Sequence, residues 1–348
     1  MPKRYKKSAK TIIHLNILLV GGRKQMDNSY IWKNFSLGKE LNVAGNFIFN
    51  GLKAFDSMES FYHEDEIFEF LYNISVGLER LGKIAVILIE HNNVKDQKEF
   101  EKSLITHNHQ ILLNKISKKH KCNLSSVHNE FIQLLSSFYT SMRYDRYSLV
   151  SLRSHDKERV SLVAFLEKHL KIKIVYKDFF VSPNEWRHKK FIGKIIGKIC
   201  EVLYEIIQAE AISQNMYTYE LRSHSKAGVI FQGKKYDFFD DNIVWKEILV
   251  YLMNTTDETG LLNFIRDIEP LNFDSALANE YISAFKSNLK RFEYIYEIEE
   301  HYLEIENKRE RIEMLEIIGN RHVFFNEDID EDIDEDINED INEDIEHD

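Results

Sequence analysis

The sequence predicts a mainly α-helical protein: a helical bundle, then a smaller α+β region, then a disordered acidic tail. Three observations carry this reading. Apolar residues recur at helical spacing through most of the first half. Only 3 prolines and 13 glycines occur in 348 residues, which suits long helices rather than many short strands. Residues 327–348 hold 14 acidic side chains and no Lys or Arg. The length leaves room for two domains of ordinary size. The expected divisions are a basic N-terminus with one strand and a linker (1–38), the bundle (39–171), the α+β region ending in a long helix (172–325), and the tail (326–348).

In chain order, MPKRYKKSAK places five cations ahead of TIIHLNILLVGG. That apolar run contains His14 and Asn16, and no A-x-A-like cleavage pattern follows. It reads as a β-strand ending at Gly21-Gly22 rather than a secretory signal. It is too short to span a bilayer, and no membrane partner is expected. Cys122 and Cys200 offer at most one bridge in a chain too large to need one. A reducing cytoplasm is therefore the expected compartment.

The overall charge of −11 comes from the tail. Without residues 327–348 the chain has 43 acidic against 46 basic residues, a net of +3. That balance permits nucleic-acid binding without arguing for it.

From Asn42 to Phe55, Val43, Phe47, Ile48, Leu52 and Phe55 follow helical spacing. A longer helix starts at Glu64 or Asp65, with acids at the positive end of its dipole. Ile67, Phe68, Leu71, Ile74, Leu78, Leu81, Ile84, Ala85 and Leu88 mark its apolar stripe. Its later half, LGKIAVILIEH, is apolar on nearly all sides, as expected of a central helix. Gly77 and Gly82 offer places where another helix can approach. Asn92-Asn93 then breaks the pattern.

The next stretch, Leu104 to Ser148, is the densest cluster of polar, aromatic and cationic groups. The spacing predicts a helix over 104–117, with Leu104, Ile105, Ile111, Leu112, Leu113 and Ile116 inward. A polar turn at 118–123 leads to a second helix over 125–143, with Val127, Phe131, Leu134, Leu135, Phe138, Tyr139 and Met142 inward. An antiparallel pair would bring His107, Asn108 and His109 toward Arg143 and Arg146. A further helix is expected at 156–170.

These residues carry a resemblance. THNHQILLNKI resembles the T-H-[DN]-x-x-x-L-L helix opening of HEPN-like proteins. FYTSMRYD is similar to the Y-x-x-x-R-Y-P helix ending found in many of them. FLYNISVGLERLGKIAVIL resembles their central helix, where an acidic residue precedes a small-plus-apolar run. The resemblance spans roughly 40–170 and matches family positions at His107, Asn108, Arg143 and Tyr144. It departs in two ways. Asp145 stands where the family has proline, and no Arg and His lie four to six residues apart on one helix. The resemblance implies an all-helical, dimerising domain of prokaryotic antiviral and toxin–antitoxin systems, many of whose members are metal-independent RNases. The expected function is an antiviral-defence or toxin-like protein acting on RNA as a metal-independent ribonuclease. The alternative is a non-catalytic HEPN-like module that senses nucleic acid or a partner protein. The partners implied are RNA, an antitoxin or other protein, and a second copy of the chain; no cofactor is implied.

Cleavage by a 2′-hydroxyl needs a base, an acid and a cation for the crowded phosphorane. Histidine titrates near neutral pH and arginine offers a bidentate fork to phosphate oxygens. His107, His109, Arg143 and Arg146 are the catalytic candidates. The blander reading is that Arg143 caps its own helix and pairs with a nearby acid.

Beyond 171 the pattern changes. Residues 171–176, KIKIVY, alternate like a strand. Pro183-Asn184-Glu185 starts a long helix whose first turns carry Arg187, His188, Lys189, Lys190 and Lys194. YTYEL, GVIF and QGKKYDF read as strands, with Arg222, His224, Ser225 and Lys226 crowding a turn. Arg187, Lys189, Lys190, Arg222 and Lys226 are the nucleic-acid-binding candidates, against a plain solvated face. Helices are expected at 241–254, 257–267 and, unbroken, 274–318. No P-loop, GxGxxG, GxSxG or HExxH occurs, and the cysteines are too few for a zinc ribbon.

The tail repeats EDID, EDID, EDIN, EDIN, EDIE. Its like charge opposes a helix and favours disorder, and it lacks the glycine and spacing of an EF-hand. Deleting 327–348 should leave the melting temperature nearly unchanged, because the segment has no core to lose. If the tail masks a basic groove, the truncated chain should bind RNA more tightly, most at low salt. A large fall in melting temperature would show that the tail is docked.

Overall fold

The computed structural model describes residues 28–93, 96–145, 147, 149, 156–177, 180–216, 221, 225–257, 259–286, 294–320 and 322–325. The expected N-terminal strand, Arg146, Arg222, most of YTYEL and the acidic tail lie outside them. The chain divides into two compact units, Met1–Asn242 and Ile243–Asp348.

The first unit is built from α1 (Leu37–Ser57), α2 (Glu64–Glu90), α3 (Gln97–Ser103), α4 (His109–Ser117), α5 (Ser126–Ser137), α6 (Lys157–Leu170), α7 (Trp186–Ser213) and α8 (Lys226–Phe231). Glu64, Asp65 and Glu66 occupy the first turn of α2, where the dipole favours them. From Ile74 onward almost every side chain of α2 is buried. A helix apolar on all sides needs neighbours all round. Here α1, α4 and α7 pack directly on it, and α5 and α6 complete the wall. At Gly77 an added methyl would meet Ile48 Cγ1 at 2.6 Å and the Ala44 carbonyl at 3.0 Å. The missing side chain lets α1 and α2 approach there.

Side chains fix the helix entries. Asp96 caps α3, and Asn108 caps α4 by accepting from the backbone of Gln110 (2.9 Å) and Ile111 (3.2 Å). The buried guanidinium of Arg159 pairs with Glu64 at 3.1 Å and Asp156 at 2.8 Å and donates to the Tyr62 carbonyl, tying α6 to the start of α2. Among the described residues two π-helical turns occur, at Trp32–Ser36 and at Phe138–Met142, the second extending α5 toward Arg143.

The expected helices up to 170 are present, with one change of entry. The helix placed over 104–117 begins at His109, because Asn108 is its cap. Leu104 to His107 form the connection from α3, which leaves Ile105 79% exposed. The long helix after Glu185 is α7, and it packs on α2 in the same unit as the bundle.

The α+β expectation is corrected where residues are described. Among them no strand forms; the lone β-bridge joins Ser60 and Pro183. Residues 171–176 have no neighbouring strand among the described residues. Ile174 N–H donates to Glu167 Oε1 and Val175 N–H to Ser182 Oγ instead. GVIF lies in α8, because Ser225 caps a helix through the Gly228 N–H. Ala227, Ile230 and Phe231 then bury at helical spacing. Gln232–Asp237 runs as irregular chain.

The second unit contains the end of α9 (Phe239–Asn254), then α10 (Gly260–Asp267), α11 (Ala278–Lys286), α12 (Ile295–Glu304) and α13 (Lys308–Ile317). The unbroken helix expected over 274–318 is thus several pieces, and Ile305 leaves the helical region at ψ 123°. Dense acids and few buried contacts give it little reason to continue. Tyr281, Phe273, Tyr294 and His301 form a small ring cluster in this unit. Among the described residues no helix is long and apolar enough to cross a membrane.

Leu81 is fully buried and Ile84 is 3% exposed. Leu81→Ala or Ile84→Ala should each destabilise by ~2–5 kcal/mol, as other buried truncations do. Urea unfolding of either variant checks this; a change below about half a kcal/mol would remove α2 from the centre.

Candidate functional site

The site is built around one charged group on the most buried helix. Glu79 of α2 is 6% exposed. A carboxylate taken out of water must be paired. Lys83, one turn on, holds Oε1 at 2.5 Å, and His107 Nδ1 holds Oε2 at 3.1 Å. His107 reaches it because Asn108 caps α4 and leaves the preceding residue over α2. The carboxylate can only accept, so Nδ1–H donates. The other ring nitrogen, Nε2, has no partner among the described residues, and the ring is half-exposed.

The edge of the His107 ring meets Tyr139 with centroids 5.1 Å apart. Tyr139 lies in the π-helical turn. On this same ring stacks Arg143, its guanidinium carbon 4.0 Å from the centroid. Arg143 Nε donates to the Tyr139 carbonyl (2.8 Å) and one terminal nitrogen donates to the Tyr144 hydroxyl (2.6 Å). Tyr144 lies beneath the guanidinium as well, at 4.5 Å. Among the described residues no carboxylate pairs with Arg143. The Tyr139 phenol is pushed up by burial and by Glu79, and so stays protonated.

His107 and Arg143 therefore contact one aromatic ring. His109 is placed differently. It is 4% exposed, and its Nε2–H donates to the Ser75 carbonyl at 2.8 Å, fastening α4 to α2. Its Nδ1 is buried without a partner. Burial pushes its imidazole below the ordinary range, against the pull of the Ser75 bond and Glu79. Arg146 lies outside the described residues.

The described basic candidates meet different partners. Lys189 turns inward onto the Asp56 carbonyl. Arg187 pairs with Glu185 at 2.8 Å. Lys190 is exposed above Trp186, in line with the exposed Lys194 and Lys198 at four-residue steps along α7. Lys226 donates to Asn50 Oδ1 at 2.7 Å, over Phe49. Arg222 lies outside the described residues. Sequence reasoning placed Glu79 only as the acid before the small-plus-apolar run, and gave no site role to Lys83 or Tyr139. The signal was an acid and a lysine four apart in the half of α2 that is apolar on nearly all sides.

Among the described residues no three His, Cys, Asp or Glu side chains gather as a metal-ligand set. Comparison with protein-family models, curated proteins and solved structures returns no match. The reading of the site therefore rests on its own geometry.

His109 makes a testable contribution to acid sensitivity. In the unfolded chain its imidazole takes up a proton near about 6.5, whereas the buried ring resists it. Stability should be full above that value and fall as pH drops through it toward the lowered folded value. His109→Gln keeps a donor for Ser75 and cannot titrate. Its unfolding free energy should fall less steeply between about pH 6.5 and 4.5, with the remaining slope shared by the similarly lowered His128 and His188. Parallel slopes for variant and parent would refute this.

Proposed function

We propose that this surface acts on RNA, with a phosphodiester seated between Arg143 and His107 and cleaved without a metal. The observation that carries the reading is the single run Lys83–Glu79–His107–Tyr139–Arg143. Glu79 fixes the tautomer that leaves His107 Nε2 free to take the 2′-hydroxyl proton. Arg143, held flat against two tyrosines and unpaired with any described carboxylate, presents its remaining N–H groups to the non-bridging oxygens. The departing 5′ oxygen takes its proton from solvent. The resemblance to HEPN-like domains supports the same placement, since its matching positions His107 and Arg143 belong to this run and Tyr144 lies against Arg143. An antiviral or toxin-like role is the biological setting that the resemblance suggests.

One observation favours the alternative, a non-catalytic module that senses a nucleic acid or a partner protein. Two groups of the Arg143 fork are already spent on Tyr139 and Tyr144. The same surface would then hold a phosphate without cleaving it.

Incubating the purified protein with RNA, with and without EDTA, separates the two. Under the first reading cleavage proceeds in EDTA, and His107→Ala lowers it by about 100-fold or more. Arg143→Ala should do the same with an unchanged circular dichroism spectrum. Arg143→Lys should also be impaired, because an ammonium cannot stack and fork as a guanidinium does. RNA binding with no cleavage would leave the sensing module. Full activity in well-folded Arg143→Ala would remove the site from either role.

A further inference from the structure

A second site lies on the outer face of α7, formed by residues that the RNA reading does not use. A cleft of about 400 Å³ opens between α7 and the chain that leaves α8. Its volume is within the range of small-molecule sites. Two glycines four residues apart on α7 build one wall. A side chain at Gly193 would overlap the backbone of Tyr236, and one at Gly197 would overlap its ring. Their absence lets the Tyr236 segment lie flat on the helix. The other wall is the stacked pair Tyr204 and Phe231, with centroids 5.0 Å apart and planes 18° apart. Lys234 sits at the rim in a left-handed conformation, φ 50°.

Glu201 and Glu205 line the cleft with Tyr236 and Lys234, while the stacked Tyr204 and Phe231 are 7% and 3% exposed. The two glutamates are one turn apart, and like charges at that spacing oppose the helix. Among the described residues neither holds a cation. Burial first, then Cys200 and these two carboxylates, push the Tyr236 phenol up, so it remains a neutral donor beside them. Paired carboxylates beside the part-buried ring of Tyr236 suit an organic cation: charge neutralisation from one side and a ring quadrupole from another.

We propose that this cleft binds an organic cation with an alkylammonium or guanidinium head, seated against Glu201 and Glu205 and bordered by Tyr204, Phe231 and Tyr236. The site is separate from the Arg143 surface and does not depend on its function.

Calorimetric titration of the full chain at constant ionic strength tests this, with butylamine and N-acetyl-arginine amide as probes. Both are monovalent, so the acidic tail does not compete as it would for a polyamine. Saturable one-site binding of either probe is expected; which one binds distinguishes an ammonium from a guanidinium ligand. N-acetyl-glutamine amide, the uncharged comparator, should not bind. Glu201→Gln with Glu205→Gln should weaken binding at least tenfold. If that pair fails to fold, the exposed Glu205→Gln alone decides, with weakening of at least threefold. Tyr236→Phe keeps the ring and should retain most of the affinity. No saturable binding by either cation would overturn the proposal, as would equal binding by the glutamine variants.

Discussion

The buried carboxylate of Glu79 is the constraint on which the rest of the site depends. It sits on the helix that supplies the core, so it cannot turn to solvent. Leaving such a charge unpaired would destabilise the fold by roughly 3–5 kcal/mol. Its two oxygens are satisfied from different directions, by Lys83 on its own helix and by His107 on the approach to α4. Folding thus sets the position of His107 and turns its Nδ1–H to Glu79. The same helix accepts His109 through the Ser75 carbonyl. The junction of α4 with α2 is consequently part apolar, at Leu112 and Ile116, and part polar, at the site.

Much of the first unit was legible because its helices repeat their apolar residues over several turns. Ile74, Leu78, Leu81, Ala85 and Leu88 on α2 all proved buried. The failures share a cause. GVIF and KIKIVY are short, and short apolar runs do not separate strand from helix by periodicity. In the first a serine cap decided for helix. In the second no partner strand is present among the described residues. The expected helix over 274–318 failed for a different reason. Its charged repeats supported helix locally, but Phe285 and Tyr296 remain 70% and 76% exposed. Among the described residues of that unit only Ala284 is buried, so packing adds little to propensity.

The site was legible in its ends and not in its middle. His107 and Arg143 were visible as polar residues at helix boundaries. His107 and His109 looked equivalent, yet the two-residue step across the Asn108 cap turns one toward solvent and the other into the core. A cap at Asn108 was readable in principle, from its place before an apolar-periodic run. Glu79 and Tyr139 were hidden among core residues. A carboxylate inside an apolar stripe is itself a signal, because burial without pairing is untenable. Tyr139 carried no such mark. Its role depends on the π-helical turn, which spacing rules based on 3.6 residues per turn do not anticipate.

That turn links backbone geometry to the candidate site. A π-helical step forgoes regular i to i+4 bonding, and such steps often lie at functional sites. Between Phe138 and Met142 it frees the Tyr139 carbonyl to accept from Arg143 Nε, which holds the guanidinium across the Tyr139 ring. The other π-helical turn, Trp32–Ser36, likewise contains a fixed cation: Lys33, 4% exposed, donates to Asn92 and Gln214. The two cases differ in where the charge points. Lys33 is enclosed, and its hydrogen bonds close the structure on itself. Arg143 is only partly buried, and it donates to Tyr139 and Tyr144 alone among the described residues. Beside it stand a buried carboxylate, a half-exposed histidine and a departure from regular helix. Local rules are broken several times within one small region, and functional surfaces are where folds tolerate such breaks.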